Sequence, residues 1–159
     1  MRTVFLTAGA LFLCLASPSM AGVAAHKITA ARVFLEKMGR GDFSKLDQIY
    51  GSGFVAHGSG KSYTLDEDNA SGKAIREAVP DLAVSVDHLI GEGNLVAVRW
   101  SARGTNSVAA AGMPGTGKSI AVEGMTIFRF KDGKIVEEWS LTDRLALMRQ
   151  LSAEQEGRR

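Results

Sequence analysis

The sequence predicts an α+β fold in which helices come first along the chain and β-strands follow. Apolar residues recur at helical spacing over residues 25–38, whereas from Leu82 onwards they alternate in the manner of strands. Strands that follow one another without helices between them favour this class over alternating βαβ units. The chain has 159 residues, which is enough for a single domain after a short leader.

The N-terminus has the layout of a secretory signal peptide. Arg2 is followed by an apolar run from Val4 to Ala16 and then by small residues up to Ala21. The run is shorter than the roughly 20 apolar residues that span a bilayer. We expect cleavage after Ala21, so that residues 1–21 are the signal peptide and residues 22–159 a periplasmic or secreted domain without membrane contact. An uncleaved membrane anchor is the alternative.

The first half of the exported domain predicts two helices and a loop. One helix covers residues 25–38 and ends at Gly39. Asp42 can cap a second, short helix that reaches about Tyr50. The glycine-rich residues 51–60 then predict a loop with a short extended piece inside it.

A third helix and four strands are predicted next. Thr64 followed by Glu67 resembles a capping box and places the start of a helix that runs to about Val79. Asp132 and Gly133 predict a tight hairpin turn, because both residues tolerate positive φ. The strands cover residues 82–90, 94–104, 119–130 and 134–141, and residues 141–151 form the last helix.

Residues 112–119 match the phosphate-binding P-loop pattern letter for letter. That pattern binds phosphate only where a buried strand precedes it and a helix begins at the lysine. After Lys118 the chain alternates as a strand, so we interpret the motif as a connection between two strands. The formal net charge is +2 and no basic run occurs, so nucleic acid is not expected as a partner.

Several short segments of the exported domain share their order and spacing with one protein family. They are Phe54 to His57, Pro80 to Leu82, Leu95 to Trp100, Met113 to Lys118, Asp132 to Trp139 with Asp143, and Gln150 to Leu151. Together they resemble the SnoaL-like polyketide cyclases, or ester cyclases, of the nuclear transport factor two-like superfamily. The resemblance implies a cone-like fold: a strongly curved, mostly antiparallel sheet with the N-terminal helices packed over it around an apolar pocket. It also implies a homodimer.

The resemblance also implies a type of chemistry. The family cyclases use an Asp as general acid/base in an intramolecular aldol closure, without metal or cofactor, and Asp143 stands in that position. Two departures occur. Glu138 stands where many relatives have a His before the Trp, and the preceding strand, which holds Met125 and Ile127, lacks the histidine that assists the Asp.

The residues themselves support a candidate catalytic group at the end of the last strand. Strand alternation places Glu137, Trp139, Leu141 and Asp143 on one face, and Trp139 and Leu141 make that face apolar. An apolar surrounding raises the pKa of a carboxyl group and makes it useful for proton transfer. Asp143 is thus a candidate base. The alternative is that Asp143 caps the last helix.

Other residues are candidates for the same site. His57 follows a short apolar piece and is a candidate catalytic donor or proton relay, with an ordinary polar contact as the alternative. Arg99 lies within an apolar strand and needs a partner, which is either a carboxylate such as Asp143 or Glu123, or an anionic substrate group. The expected substrate-binding residues that line the pocket are Trp139, Arg99, Met125, Ile127 and Glu123.

Two functions remain open at this point. One is acid/base chemistry, such as aldol-type cyclisation or isomerisation, on a small apolar carbonyl compound. The other is a non-catalytic exported binding module that holds a small hydrophobic ligand in the same pocket. Both predict a small apolar molecule as the partner, with no metal and no cofactor.

Overall fold

The computed structural model describes residues 20–152, which form a six-stranded sheet with helices against it and a small two-stranded sheet. The helices are α1 (Met20–Arg32), which continues as a π-helical segment (Val33–Arg40), α2 (Leu46–Ile49), α3 (Leu65–Ala78) and α4 (Arg144–Ser152). The strands are β1 (Tyr50–Gly58), β2 (Lys61–Tyr63), β3 (Ala83–Glu92), β4 (Leu95–Asn106), β5 (Ala109–Ala110), β6 (Met113–Pro114), β7 (Lys118–Lys131) and β8 (Lys134–Thr142).

The main sheet has the strand order β2–β1–β8–β7–β4–β3. Its neighbouring strands are antiparallel except for β1 and β8, which run parallel. Register shifts interrupt the β1–β8, β3–β4 and β7–β8 pairs, and such irregularities bend a sheet. The predicted α+β fold, with a curved and mostly antiparallel sheet under N-terminal helices, is confirmed.

The start of the chain bears on the predicted signal peptide. Residues 1–19 lie outside the described residues, and α1 already begins at Met20. No helix among residues 20–152 is long and apolar enough to cross a membrane. The signal peptide, its cleavage and export stay predictions.

Local signals in the sequence placed several elements correctly. The Thr64 hydroxyl accepts a hydrogen bond from the Glu67 N–H at 3.3 Å, and the Glu67 carboxylate accepts one from the Thr64 N–H at 2.8 Å. This capping box starts α3 as predicted. Asp132 and Gly133 both have positive φ in the β7–β8 turn, which suits a tight hairpin.

Two local predictions differ from the structure. The segment expected to be a loop is largely strand β1, because it is paired on both sides, with β2 and with β8. The second helix is only α2, one short turn. Asp42 does not cap it, because its carboxylate instead accepts hydrogen bonds from the N–H and hydroxyl of Ser44, at 2.9 and 2.6 Å.

The P-loop-like segment is a connection between strands, as interpreted. β6 lies within it, and β7 begins at Lys118 where a P-loop would begin a helix. The Lys118 ammonium donates to the carbonyl oxygen of Leu151 at 2.9 Å. Buried Asn106 holds the connection, because its side-chain oxygen accepts from the Gly115 N–H at 2.9 Å and its amide donates to the Ala78 carbonyl at 3.2 Å.

The concave side of the sheet holds the main core. Val96, Val98 and Phe128 are buried there beneath α1 and the π-helical segment. Phe34 reaches in from the π-helical segment, with its ring centroid 5.7 Å from that of Trp100 and 6.0 Å from that of Phe128. Side chains therefore fill much of the space between helices and sheet.

Candidate functional site

The two faces of β7 differ in burial. Thr126 and Phe128 face the concave side and are 2% and 0% exposed. Met125 and Ile127 lie on the outer, convex side and are 49% and 37% exposed. The face under the helices is thus the one with Thr126, whose hydroxyl is hydrogen-bonded there. A substrate-binding role for Met125 and Ile127 stays a prediction.

The outer face also carries Trp139 and His57. Trp139 is paired with His57 on β1 and with Ile127 on β7. The His57 ring stacks on the indole with a centroid separation of 5.5 Å, and the Arg129 guanidinium lies 4.9 Å from the indole centroid. Glu137 joins these two neighbours, because its carboxylate lies 2.9 Å from His57 Nε2 and 3.1 Å from Arg129 Nη1.

Arg99 forms ion pairs on the same outer face. Its guanidinium donates to Glu123 at 2.6 Å and to Asp87 at 2.9 Å. The expected carboxylate partner Glu123 is thus confirmed, and Asp87 on the neighbouring strand β3 is a second, unexpected partner. Arg99 is partly exposed, so water screens these pairs and their net contribution to stability is small.

Asp143 lies just after β8 and caps α4. Its carboxylate accepts a hydrogen bond from the Ala146 N–H at 2.9 Å, which is the geometry of an N-cap residue. The side chain is exposed and lines an open groove of about 390 Å³ between α4 and the outer face, together with Glu123. The geometry therefore supports the interpretation that Asp143 caps α4.

The predicted site residues thus share the outer face but lack the expected enclosure. In the part of the chain that the structure describes, Trp139 lies on the outer face beside His57 and Arg129, and Asp143 lines an open groove rather than an enclosed pocket. Catalytic roles for Asp143 and His57, and a homodimer, stay predictions.

A second group of polar side chains lies on the concave side, and we call it the inner polar cluster. Its members come from the π-helical segment, the start of β1, α3 and the three central strands. They are Lys37, Tyr50, Asp68, Trp100, Thr126, Glu138 and Ser140. Buried polar groups on this scale need hydrogen-bond partners, and each member has one.

Three hydrogen bonds run in one direction through this cluster. Ser140 donates its only hydroxyl hydrogen to Glu138 Oε1 at 2.6 Å. The 2.9 Å contact between Thr126 and Ser140 must then use the Thr126 hydrogen, and Thr126 accepts from the Trp100 indole N–H at 3.2 Å. The three hydrogen bonds therefore run from the Trp100 indole through Thr126 and Ser140, and the last one ends on the Glu138 carboxylate.

A buried cation lies on the other side of the cluster. Lys37 is 3% exposed, and its ammonium lies 2.5 Å from Asp68 Oδ2 and 3.4 Å from the Tyr50 hydroxyl oxygen. Because Lys37 donates to that oxygen, the hydroxyl hydrogen of Tyr50 is left for another acceptor. Asp68 is partly exposed and connects the cluster with solvent.

Burial changes the acidity of the cluster. Desolvation, with a further contribution from the Asp68 charge, raises the pKa of Glu138 to about 7, although the Ser140 hydrogen bond and the Lys37 charge act in the opposite direction. Burial also raises the pKa of the Tyr50 hydroxyl well above its ordinary value, and the charges of Glu138 and Asp68 add to that effect. Glu138 can therefore take up and release a proton near neutral pH.

The sequence contains a signal for Glu138 besides its position where many relatives have His. Alternation along β8 places Glu138 and Ser140 on the face opposite Trp139. That face is the less apolar of the two in sequence, yet Glu138 on it is buried.

The chain resembles one family and several solved structures. The profile of the SnoaL-like polyketide cyclases matches residues 28–151. Among curated proteins, none matches the chain. A SnoaL-like protein from Jannaschia sp. CCS1 superposes with a TM-score of 0.76 at 24% identity, over 87% of this chain and 99% of that one.

Two further structures show the same fold. IdmH from Streptomyces antibioticus has a TM-score of 0.71 at 27% identity, over 80% of this chain and 99% of that one. The SnoaL-like polyketide cyclase from Agrobacterium tumefaciens strain C58 has a TM-score of 0.63 at 20% identity, over 76% and 93%. The described domain therefore spans nearly the whole length of these proteins.

Proposed function

This chain belongs to the SnoaL-like polyketide cyclase family, and from that premise we propose that it transfers protons on a small apolar carbonyl compound with Glu138 as the acid/base group. The observation that carries the proposal is the burial of Glu138 among hydrogen-bond donors on the concave side, with its pKa raised to about 7. A general acid/base group works best with a pKa near the working pH.

The proposed reaction begins at the carbon next to the substrate carbonyl. The ionised Glu138 carboxylate removes a proton from that carbon, and the electron pair moves onto the carbonyl oxygen as an enolate. The Tyr50 hydroxyl and the Lys37 ammonium are donors in the same cluster and would stabilise that oxygen.

The second half of the reaction returns the proton. In a cyclisation, the enolate carbon attacks a second carbonyl group of the same molecule and forms a carbon–carbon bond. The resulting alkoxide takes the proton that Glu138 holds, which restores the carboxylate. In an isomerisation, Glu138 returns the proton to a different carbon of the enolate system.

Access to Glu138 is proposed from the side of Asp68. Glu138 is only 9% exposed, whereas its neighbour Asp68 on α3 is in contact with solvent. Because the concave side is packed with side chains, the substrate would enter by separating α3 from the π-helical segment. An apolar substrate suits the aromatic side chains beside the inner polar cluster, where Phe34 contacts Trp100 and Phe54 contacts Tyr50.

The test follows proton removal directly. A small aryl ketone such as 1-indanone is incubated with the protein in D2O, and deuterium entry next to the carbonyl is followed by NMR. We expect catalysed exchange that Glu138→Gln reduces at least about a hundredfold, the usual contribution of a general base. Asp143→Asn, which keeps a capping side chain, is expected to retain the exchange.

The opposite pattern would overturn the proposal. Exchange that persists in Glu138→Gln but is lost in Asp143→Asn would assign the base to Asp143 on the outer face. Absence of exchange with wild-type protein across a panel of aryl and cyclic ketones would argue against proton-transfer chemistry on this substrate class.

A further inference from the structure

Ser62, His57 and Glu137 form a continuous hydrogen-bonded line at the edge of the outer face. Ser62 on β2 lies directly opposite His57 on β1 in the antiparallel register. The Ser62 hydroxyl oxygen is 3.1 Å from His57 Nδ1, and Glu137 Oε1 is 2.9 Å from His57 Nε2. A hydroxyl, an imidazole and a carboxylate in this order are the parts of an activated nucleophile.

The carboxylate decides which nitrogen of His57 can act as a base. An ionised carboxylate only accepts hydrogen bonds, so neutral His57 must carry its hydrogen on Nε2 to bond Glu137. Nδ1 is then an acceptor and faces the hydroxyl of Ser62. His57 Nδ1 can therefore accept the proton of the Ser62 hydroxyl.

Two neighbours hold this line in place. The Arg129 guanidinium lies 3.1 Å from the second oxygen of Glu137 and holds that carboxylate by a charge-assisted contact. The indole of Trp139 stacks on the His57 ring with an interplanar angle of 17°, which fixes the ring plane. The base and its orienting carboxylate are therefore each held by a further contact, His57 by Trp139 and Glu137 by Arg129.

We propose that Ser62 is an acyl-accepting nucleophile, with His57 as its base and Glu137 as a positioning residue. The Ser62 oxygen attacks the carbonyl carbon of an ester, and its proton moves to His57 Nδ1. The tetrahedral adduct then expels the alcohol or phenol, which takes the proton back from His57. Water repeats the sequence and releases the acid, so that Ser62 and His57 return to their initial state.

The surroundings of the line indicate the class of acyl donor. Ser62 and His57 begin a row of paired residues across the sheet, and Trp139 and Ile127 continue it on β8 and β7. Both of these side chains are apolar and accessible. Leu141 on the same face is 76% exposed. β2 is an edge strand, so the serine is open to solvent on one side. An ester or thioester with an apolar acyl chain and a good leaving group fits this surface.

The proposal is independent of Glu138 and is tested with p-nitrophenyl butyrate. The full chain is mixed with this ester, quenched early, digested and examined by peptide mass spectrometry. We expect one butyryl group on Ser62 and a burst of p-nitrophenol. Ser59 is the internal control, because it is an exposed serine three positions away for which the structure shows no histidine contact.

The variants separate an activated serine from a merely accessible one. Ser62→Ala is expected to abolish the stable adduct, and His57→Gln to slow its formation about a hundredfold. Glu137→Gln should slow acylation about tenfold, with partial recovery in Glu137→Asp, whereas Ser59→Ala should have no effect. Equal labelling of Ser59 and Ser62, labelling unchanged in His57→Gln, or a stable adduct on His57 would overturn the proposal.

Discussion

Ser140 donates its hydroxyl hydrogen to Glu138 across 2.6 Å, and both side chains lie on the concave side of β8. A short hydrogen bond from a hydroxyl favours the charged form of a carboxylate. Burial outweighs it here, because the pKa of Glu138 is still raised to about 7. The protonation of this one carboxyl group therefore affects both the stability of the fold and its proposed chemistry.

Stability should fall as pH rises through the titration of Glu138. The ordinary pKa of 4.5 applies to the unfolded chain, whereas the folded pKa is about 7. Between these values the folded protein binds more protons than the unfolded chain, so the free energy of unfolding decreases with rising pH. At about 1.4 kcal/mol per pKa unit, the loss is on the order of 3 kcal/mol above pH 7.

Glu138→Gln checks this dependence, because the amide does not titrate. Urea unfolding at pH 5 and pH 8 should give a smaller difference in the variant than in the wild-type protein. Glu77→Gln is the control, since Glu77 is exposed on α3 and should leave the difference unchanged. An identical pH dependence in wild type and Glu138→Gln would contradict the buried titration.

Lys37→Met should raise the pKa of Glu138 further. The Lys37 charge lowers that pKa in the folded protein, so its removal makes ionisation of Glu138 harder. The protonated carboxyl stretch in the infrared spectrum, titrated in D2O, measures the shift. The variant should also lose about 1–3 kcal/mol, because Asp68 loses its cation partner in a partly buried position.

Lys61→Met is the matched control for that variant. Lys61 is exposed on the edge strand β2, and its replacement should change neither the infrared titration nor the stability by more than about 0.5 kcal/mol. A titration curve that coincides for wild type and Lys37→Met would show that Lys37 does not influence the Glu138 carboxyl group.

Gly124→Ala should destabilise the protein by about 2–3 kcal/mol. A methyl group at Gly124 would lie 2.2 Å from an indole carbon of Trp100 and 2.6 Å from the Leu141 carbonyl oxygen. Gly58→Ala is the comparison, because there the nearest atom is the Ser140 carbonyl oxygen at an ordinary 3.5 Å. Thermal unfolding of both variants should show a much larger decrease in Tm for Gly124→Ala than for Gly58→Ala.

Asp143→Ala should cost about 1 kcal/mol through loss of the cap of α4. Asp143→Asn should cost much less, because asparagine caps helices about as well as aspartate. Urea unfolding at one pH compares the two variants. Equal stability of the alanine and asparagine variants would mean that the hydrogen bond to the Ala146 N–H contributes little.

Alternation along the sequence predicted the strands but not which face is buried. Along β7, Met125 and Ile127 alternate with Thr126 and Phe128, so each face holds a large apolar residue and alternation does not select the buried one. The buried set includes a threonine, and β8 adds Glu138 and Ser140 to the same side. Hydrophobicity does not identify this face as the buried one, because its polar groups are satisfied by one another rather than by water.

Other parts of the fold were predictable to the extent that their signals are local. The capping box at Thr64 and the turn at Asp132 depend on neighbours within three residues, and both are confirmed. β1 was underestimated because Gly51, Gly53 and Gly58 suggest a loop. Its pairing with β8 depends on residues far away in sequence, which a local pattern does not contain.

The parallel pairing of β1 with β8 has a consequence for how the chain assembles. His57 and Glu137 are in contact although they are 80 positions apart, so the middle of the sheet cannot close until the last strand has been synthesised. Contacts this distant in sequence slow folding, because a long chain segment must be ordered before they form. Until then β1 has only the short strand β2 beside it, and its other edge is open to pairing with the wrong partner.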